Sequence, residues 1–313
     1  MAGLQKVAVV GAGSVGSAVA YASMIDRVAD EIALYDINGA RATAEVLDLS
    51  HGLQFVGGGH VTGGGDIGVC ADADLVVVTA GATHGPGATR LDLAGTNVSL
   101  IRTLMPPLLE VAPDAIYVLV TNPVDVVTYV AQEISGLPHG RVIGSGTVLD
   151  TSRLRHLLAG RLAIGVNSVH ATIVGEHGDS EIALWSSATV GGTPLLDVVG
   201  PDGGRIDADE LDGLLHDVRT AAAKIIGGKG NTNLAIGLAT ARIVRSISSD
   251  ERSVLPVSVR TEIAGSGEVC LSLPSVVGRQ GVLSRLLVPL DDAEAAGLRA
   301  SAAAIRNVID SVL

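Results

Sequence analysis

Aromatic side chains are almost absent from this 313-residue sequence, which has one Trp, one Phe and four Tyr. Its core must therefore be built from Val, Leu, Ile and Ala. Cysteine is as scarce. Cys70 and Cys270 lie far apart and make neither a metal-ligand spacing nor a disulfide framework, which fits a reducing compartment. Basic charge is also short. The 21 Lys and Arg stand against 33 Asp and Glu, a formal net charge of −12. That balance argues against a nucleic-acid surface, because neutralising phosphates takes clustered Lys and Arg. No apolar run reaches the ~18–20 residues needed to span a bilayer. The opening residues Met1 to Lys6 run into a strand pattern and lack the apolar stretch of a signal peptide. These absences predict a cytoplasmic protein that binds neither nucleic acid nor membrane. What is present is a globular composition, 47% hydrophobic and 17% charged, on a chain long enough for two domains.

The first half alternates strands and helices. Val7–Val10, Glu31–Tyr35, 74–79, 116–120 and Arg141–Gly144 read as strands. Helical patterns lie near 14–25, 41–49 and 92–111, and a Gly-rich loop covers 81–90. Near-continuous apolar strands separated by helices predict a parallel, doubly wound sheet covered on both faces. After about residue 145 the texture changes. Helices are expected at 149–162, 207–226, 232–247 and 291–312, with alternating segments at 168–174, 182–189, 254–259 and 268–274. The expected division is a Rossmann domain over 1–144 and a mixed α+β domain over 145–313.

The pattern Gly11-Ala12-Gly13-Ser14-Val15-Gly16 ends the first strand and opens a helix, the context in which G-x-G-x-x-G binds a dinucleotide. The first glycine allows the turn, the second lets a pyrophosphate approach, and the third allows close helix–strand packing. The helix N-terminus adds amide donors and the positive end of a dipole. Asp36 ends the second strand, where its carboxylate can bind the ribose hydroxyls of an adenosine and repel a 2′-phosphate. NAD is thus favoured over NADP, with Arg41 close enough to lend some tolerance of phosphate.

The chemistry is expected around Gly175-Glu176-His177-Gly178-Asp179. There an imidazole sits between two glycines, with acids on either side. Upstream, Asp150-Thr151-Ser152-Arg153 offers a carboxylate to orient that imidazole and a guanidinium to hold an anion. Taken singly, Asp150 could equally cap a helix starting at Thr151. Arg153 could be a surface residue, and Arg90 a solvated loop charge.

These segments, with Ala80–Leu93 and Thr121-Asn122-Pro123-Val124-Asp125, resemble the L-lactate/malate dehydrogenase family in order and spacing over essentially the whole chain. The resemblance implies that His177 exchanges a proton with the substrate oxygen, with Asp150 as its partner. It implies that Arg153 clamps the substrate carboxylate and that Arg90, on a mobile loop, polarises the carbonyl. It also implies that Asn122 touches both nicotinamide and substrate. Val120 and Ser145 lie on the nicotinamide side, and Val15, Gly81 and Ala82 belong to the cofactor contacts.

Substrate choice is less sharply marked. His84 stands at the loop position where lactate-type members carry Gln and malate-type members Arg. Gly85 and Ala88 also depart from the family's usual Lys and acid. Thr232 matches a threonine that lines the methyl pocket of lactate-type members, and it could also cap the helix that follows. Arg155 and His170 match the fructose-bisphosphate site of activated bacterial members, which implies an effector-regulated homotetramer. The resulting expectation is an NAD-dependent L-2-hydroxyacid dehydrogenase acting on lactate. Malate or a bulkier 2-hydroxy acid is the alternative, with specificity set by His84. A metal- and NAD-dependent glycosidase would call for ligands near the nicotinamide, and no Cys/His cluster is seen; no metal site is expected. A non-catalytic NAD-binding protein would have no reason to keep His177, Asp150, Arg153 and Arg90 together.

Overall fold

The computed structural model describes residues 3–82 and 90–313, apart from the Arg90 side chain. His84 and the Arg90 guanidinium, both singled out from the sequence, lie outside the described residues. The strands are β1 (Leu4–Val10), β2 (Ala29–Tyr35), β3 (His60–Gly64), β4 (Leu75–Val78), β5 (Ile116–Leu119), β6 (Val142–Gly144), β7 (Val169–His170), β8 (Ile173–Val174), β9 (Ile182–Ala183), β10 (Thr189–Val190), β11 (Thr193–Pro194), β12 (Ser253–Ile263), β13 (Gly267–Gly278) and β14 (Gly281–Arg285). The helices are α1 (Ser14–Asp26), α2 (Gly39–His51), α3 (Arg90–Val111), α4 (Val124–Ser135), α5 (Val148–Leu162), α6 (Ala208–Lys229), α7 (Leu234–Ser248) and α8 (Asp292–Val312).

The main sheet has nine strands in the order β14-β13-β12-β6-β5-β4-β1-β2-β3. From β6 to β3 the neighbours are parallel, and β1 sits between β2 and β4, with Val7 opposite both Ile32 and Leu75. The expected doubly wound sheet is therefore present. Among the four helices of this half, α3 and α4 differ in legibility. α3 follows the predicted pattern, whereas none is predicted for α4, whose residues Val124 to Gln132 are all buried. Its Val- and Thr-rich sequence reads as strand, although the polar residues Asp125, Thr128 and Gln132 recur at helical spacing. β3, with sequence HVTGG, is likewise too Gly-rich to show a strand pattern.

The second half extends this sheet. β12 pairs antiparallel with β6 through Ser258 and Gly144, and β13 and β14 follow as antiparallel neighbours. Packing also crosses the expected boundary. Alternation along β1 sends Ala8 and Val10 to one face and Val7 and Val9 to the other. The first face meets Leu271 and Ile305, and the second meets Ile243 and Val257. A third cluster, with Leu154, Leu158, Ile173 and Val218, belongs to the second half alone. α7 lies so close to α1 that a Cβ on Gly237 would come within 2.8 Å of the Ala18 backbone.

Two capping expectations change. α5 begins at Val148, so Asp150 lies in its first turn and is free to use its side chain elsewhere. α7 is capped at Asn233, not Thr232. Among the described residues no helix is long and apolar enough to cross a membrane.

Candidate active site

Gly11, Asp36, Gly81, Asn122 and Ser145 all follow the carboxyl ends of parallel strands β1, β2, β4, β5 and β6. In an open parallel sheet this is the edge where ligands bind. The glycine turn divides its tasks as its spacing predicts. Gly11 has φ +101°, and a Cβ there would come within 2.7 Å of the Ala80 nitrogen. A Cβ on Gly16 would lie 1.8 Å from the Gly11 carbonyl oxygen. On Gly13 it would meet nothing within 4 Å. The turn is thus closed at its ends and open in the middle, directly at the N-terminus of α1, where a diphosphate finds unsatisfied amides. Val15 is half-buried in the first turn of that helix. Asp36 accepts the Ala12 N–H at 2.7 Å and the Asn38 N–H at 2.8 Å, so its carboxylate also braces the turn. Arg41 is exposed on α2. These features fit a bound dinucleotide.

Beside this turn, Asn97 of α3 is buried. Its Oδ1 accepts the Ala82 N–H at 2.7 Å, and its Nδ2 donates to the Asn122 carbonyl at 2.7 Å. One side chain therefore ties the base of the Gly81–Ala82 segment to the end of β5. Asn122 is itself exposed, while Val120 and Ser145 are buried.

The His177 turn is held from three sides. Gly175 exchanges both backbone hydrogen bonds with Ser272 of β13, at 2.9 and 2.8 Å. Its φ of +90° and a Cβ position 2.6 Å from Ser301 Oγ leave room for glycine alone. The Glu176 N–H donates to Ser301 Oγ of α8 at 2.6 Å. The His177 N–H donates to Asp125 Oδ2 of α4 at 2.8 Å, and Ser258 Oγ of β12 donates to Asp125 Oδ1 at 2.6 Å.

On this frame, His177 Nδ1 lies 2.6 Å from Asp150 Oδ2, and Arg153 Nη1 donates to Asp150 Oδ1 at 2.7 Å. The three residues expected to act together are in direct contact. The Asp150 charge raises the His177 imidazole to about 9, against the opposing effect of burial. Burial alone would push Asp150 up, but the charges and hydrogen bonds of His177 and Arg153 hold it below the usual carboxylate range. Burial raises Asp125 to about 6, despite its bonds from Ser258 and His177. Glu181, at the far end of the same turn, is also buried, and burial followed by the Asp150 charge raises it to about 8.

Arg155 Nε donates to the Ala171 carbonyl at 2.8 Å, next to the exposed His170 on β7. Thr232 is half-buried just before α7. Asn97, Ser258, Ser301 and Glu181 were not singled out from the sequence. Asp125 stood inside a quoted segment without a role. Their partners are distant in the chain, so no local spacing marks them.

Two family models match: the lactate/malate dehydrogenase NAD binding domain over residues 5–144, and the family's alpha/beta C-terminal domain over 147–313. An L-lactate dehydrogenase of Bifidobacterium animalis subsp. lactis is 48% identical over 304 residues, 96% of this chain and 95% of the relative. One from a Synechococcus strain is 48% identical over 308 residues, covering 98% and 99%. Among solved structures, a lactate dehydrogenase from a Medee basin deep-sea metagenome library superposes with a TM-score of 0.94 at 39% identity, covering 99% of each chain. The minor L-lactate dehydrogenase of Enterococcus mundtii, in ligand-bound form, gives 0.93 at 40%, covering 99% of this chain and 98% of that one.

Proposed function

This chain belongs to the lactate/malate dehydrogenase family and is an NAD-dependent oxidoreductase of 2-hydroxy acids; from that premise we propose that it is an L-lactate dehydrogenase. The observation that carries the mechanism is the 2.6 Å contact between His177 Nδ1 and Asp150. When bound, NAD supplies or accepts the hydride at its nicotinamide. The protein supplies the proton. Asp150 occupies Nδ1, so Nε2 is the nitrogen that gives a proton to the keto oxygen during reduction and takes it from the hydroxyl during oxidation. Arg153 pairs with the substrate carboxylate, and Asp150 steadies its guanidinium from behind. Arg90 stabilises the developing charge on the substrate oxygen. Asn122 orients the carbonyl against the nicotinamide, which rests near Val120 and Ser145. Gly11, Gly13, Val15, Gly16, Asp36, Arg41, Gly81 and Ala82 hold the rest of the cofactor.

The names of the similar proteins and Thr232 at the methyl-pocket position support lactate as the substrate. His84 is the position at which malate or a bulkier acid would be selected instead. Arg155 and His170 form an effector site for fructose bisphosphate in a homotetramer. Exposed apolar residues on α1 and α7, Tyr21, Ile25, Leu234 and Leu238, support association between copies of the chain. The division into an NAD-binding unit over 1–144 and a substrate unit over 145–313 is part of the same reading.

An NADH-oxidation panel with pyruvate, oxaloacetate and larger 2-keto acids, each with and without fructose bisphosphate, tests this. Pyruvate is expected to give the highest kcat/KM, and the effector to raise it. Preference for oxaloacetate or a bulky keto acid would transfer the specificity to His84 and remove the lactate assignment. A flat effector titration would remove the regulatory one.

A further inference from the structure

The proton chemistry assigned to His177 uses one carboxylate, yet a second lies beside it. Asp150, His177 and Glu181 each bring a nitrogen or oxygen atom within 4.8 Å of the others. Glu181 is only 2% exposed. Its Oε1 is buried with no hydrogen-bond partner among the described residues. Native proteins seldom leave a buried carboxyl oxygen unpartnered, and where they do the group calls for an explanation. The local fold holds it in place. The Glu181 N–H donates to the Gly178 carbonyl at 3.3 Å, which closes the turn that directly follows His177. Arg219 of α6 donates to the Glu181 carbonyl oxygen.

The groups that face this carboxyl are Asp150 and Arg153 from α5, Arg219 from α6, and His177 from its own turn. Asp150 is the better-placed anion of the two acids, because His177 and Arg153 both bond it directly. Two carboxyls this close do not ionise together near neutrality, so the proton that is shared out goes to Glu181. In that state Asp150, His177 and Arg153 together leave a net positive charge, to which Arg219 adds another. In alkaline solution Glu181 gives up its proton. Its new charge then faces the imidazolium across a few ångströms of buried space, where Coulomb interactions are strong.

We propose that Glu181 is a positioning residue for the proton transfer: its buried carboxyl, ionising beside the His177–Asp150 pair, keeps the proton on His177 in alkaline solution and widens the pH range over which the 2-keto acid is reduced. This rests on the reading of His177 as the proton donor. The sign is fixed by the charges. An anion next to an imidazolium favours the protonated form, so removing the anion lets His177 lose its proton at lower pH.

The test compares the intact enzyme with Glu181→Gln and Glu181→Asp. Two readouts are taken: the His177 titration by 13C-histidine NMR, assigned with His177→Gln, and the alkaline limb of kcat/KM for the best 2-keto acid with NADH. In Glu181→Gln both midpoints are expected to fall by on the order of one pH unit, about a tenfold loss of reduction above the limb. Glu181→Asp, which restores the charge, returns both midpoints towards the parent values. A general loss of rate with unmoved midpoints in Glu181→Gln would mean a merely structural role and overturn the proposal. A lower NMR midpoint with an unmoved kinetic limb would overturn the reading of His177 as donor, and the effect on turnover with it.

Discussion

Asp125 shows how much of this site's geometry depends on a single buried side chain. It joins α4 to the His177 turn and to β12 through one carboxylate, which accepts the His177 N–H and the Ser258 hydroxyl. Replacing it with alanine would leave both donors buried and unpartnered. Asp125→Ala is expected to cost about 2–4 kcal/mol in guanidinium unfolding and to lower turnover by loosening His177. Retention of full stability in that variant would mean that the three elements are joined by other contacts. Part of the residue-scale chemistry was legible beforehand. His177, Asp150 and Arg153 lie in segments with a glycine or charge signature, and they meet as expected. Asp125, Asn97 and Glu181 were not legible, because their roles consist of contacts with residues far away in the chain.

The glycine turn and its helix show the same division within one element. The spacing assigns Gly13 to diphosphate approach and Gly16 to close packing, and a Cβ indeed finds open space at Gly13 and lies 1.8 Å from a carbonyl oxygen at Gly16. Gly13→Ala is expected to fold with a loss of only about 1 kcal/mol, because Gly13 is the N-cap of α1 and alanine caps less well than glycine but meets no clash there. It should still weaken NAD by about tenfold or more, read by fluorescence titration, because the methyl group occupies the diphosphate approach. Gly16→Ala should lower stability itself by ~1–3 kcal/mol through overpacking. Equal stability losses in the two variants would refute this assignment of roles. α4 is the element that sequence reading misses altogether. Its Val and Thr content favours strand locally and outweighs the helical spacing of Asp125, Thr128 and Gln132, and packing between the sheet and α3 settles Val124–Ser135 as helix.

At the scale of the whole molecule, the two halves are distinct in sequence texture but share one sheet and two of the three core clusters. Cutting the chain after residue 144 would free the edge of β6 and uncover the faces that α7, α8, β12 and β13 occupy. A fragment of residues 1–144 is therefore expected to show no cooperative thermal transition by circular dichroism, whereas the whole chain unfolds with one; a sharp transition in the fragment would establish an independent domain. The sequence by itself determined the strand–helix alternation, the dinucleotide turn with Asp36, and the segments that bring His177, Asp150 and Arg153 together. Each of these is written in short-range spacing, where backbone geometry and residue type act over a few positions. Only the tertiary structure decided that β12 to β14 complete the first sheet, that Asp125 and Asn97 tie the site together, and that Glu181 lies buried beside His177 and Asp150. Those outcomes depend on burial and on pairings between distant segments, and such contacts exist only once the chain has closed on itself.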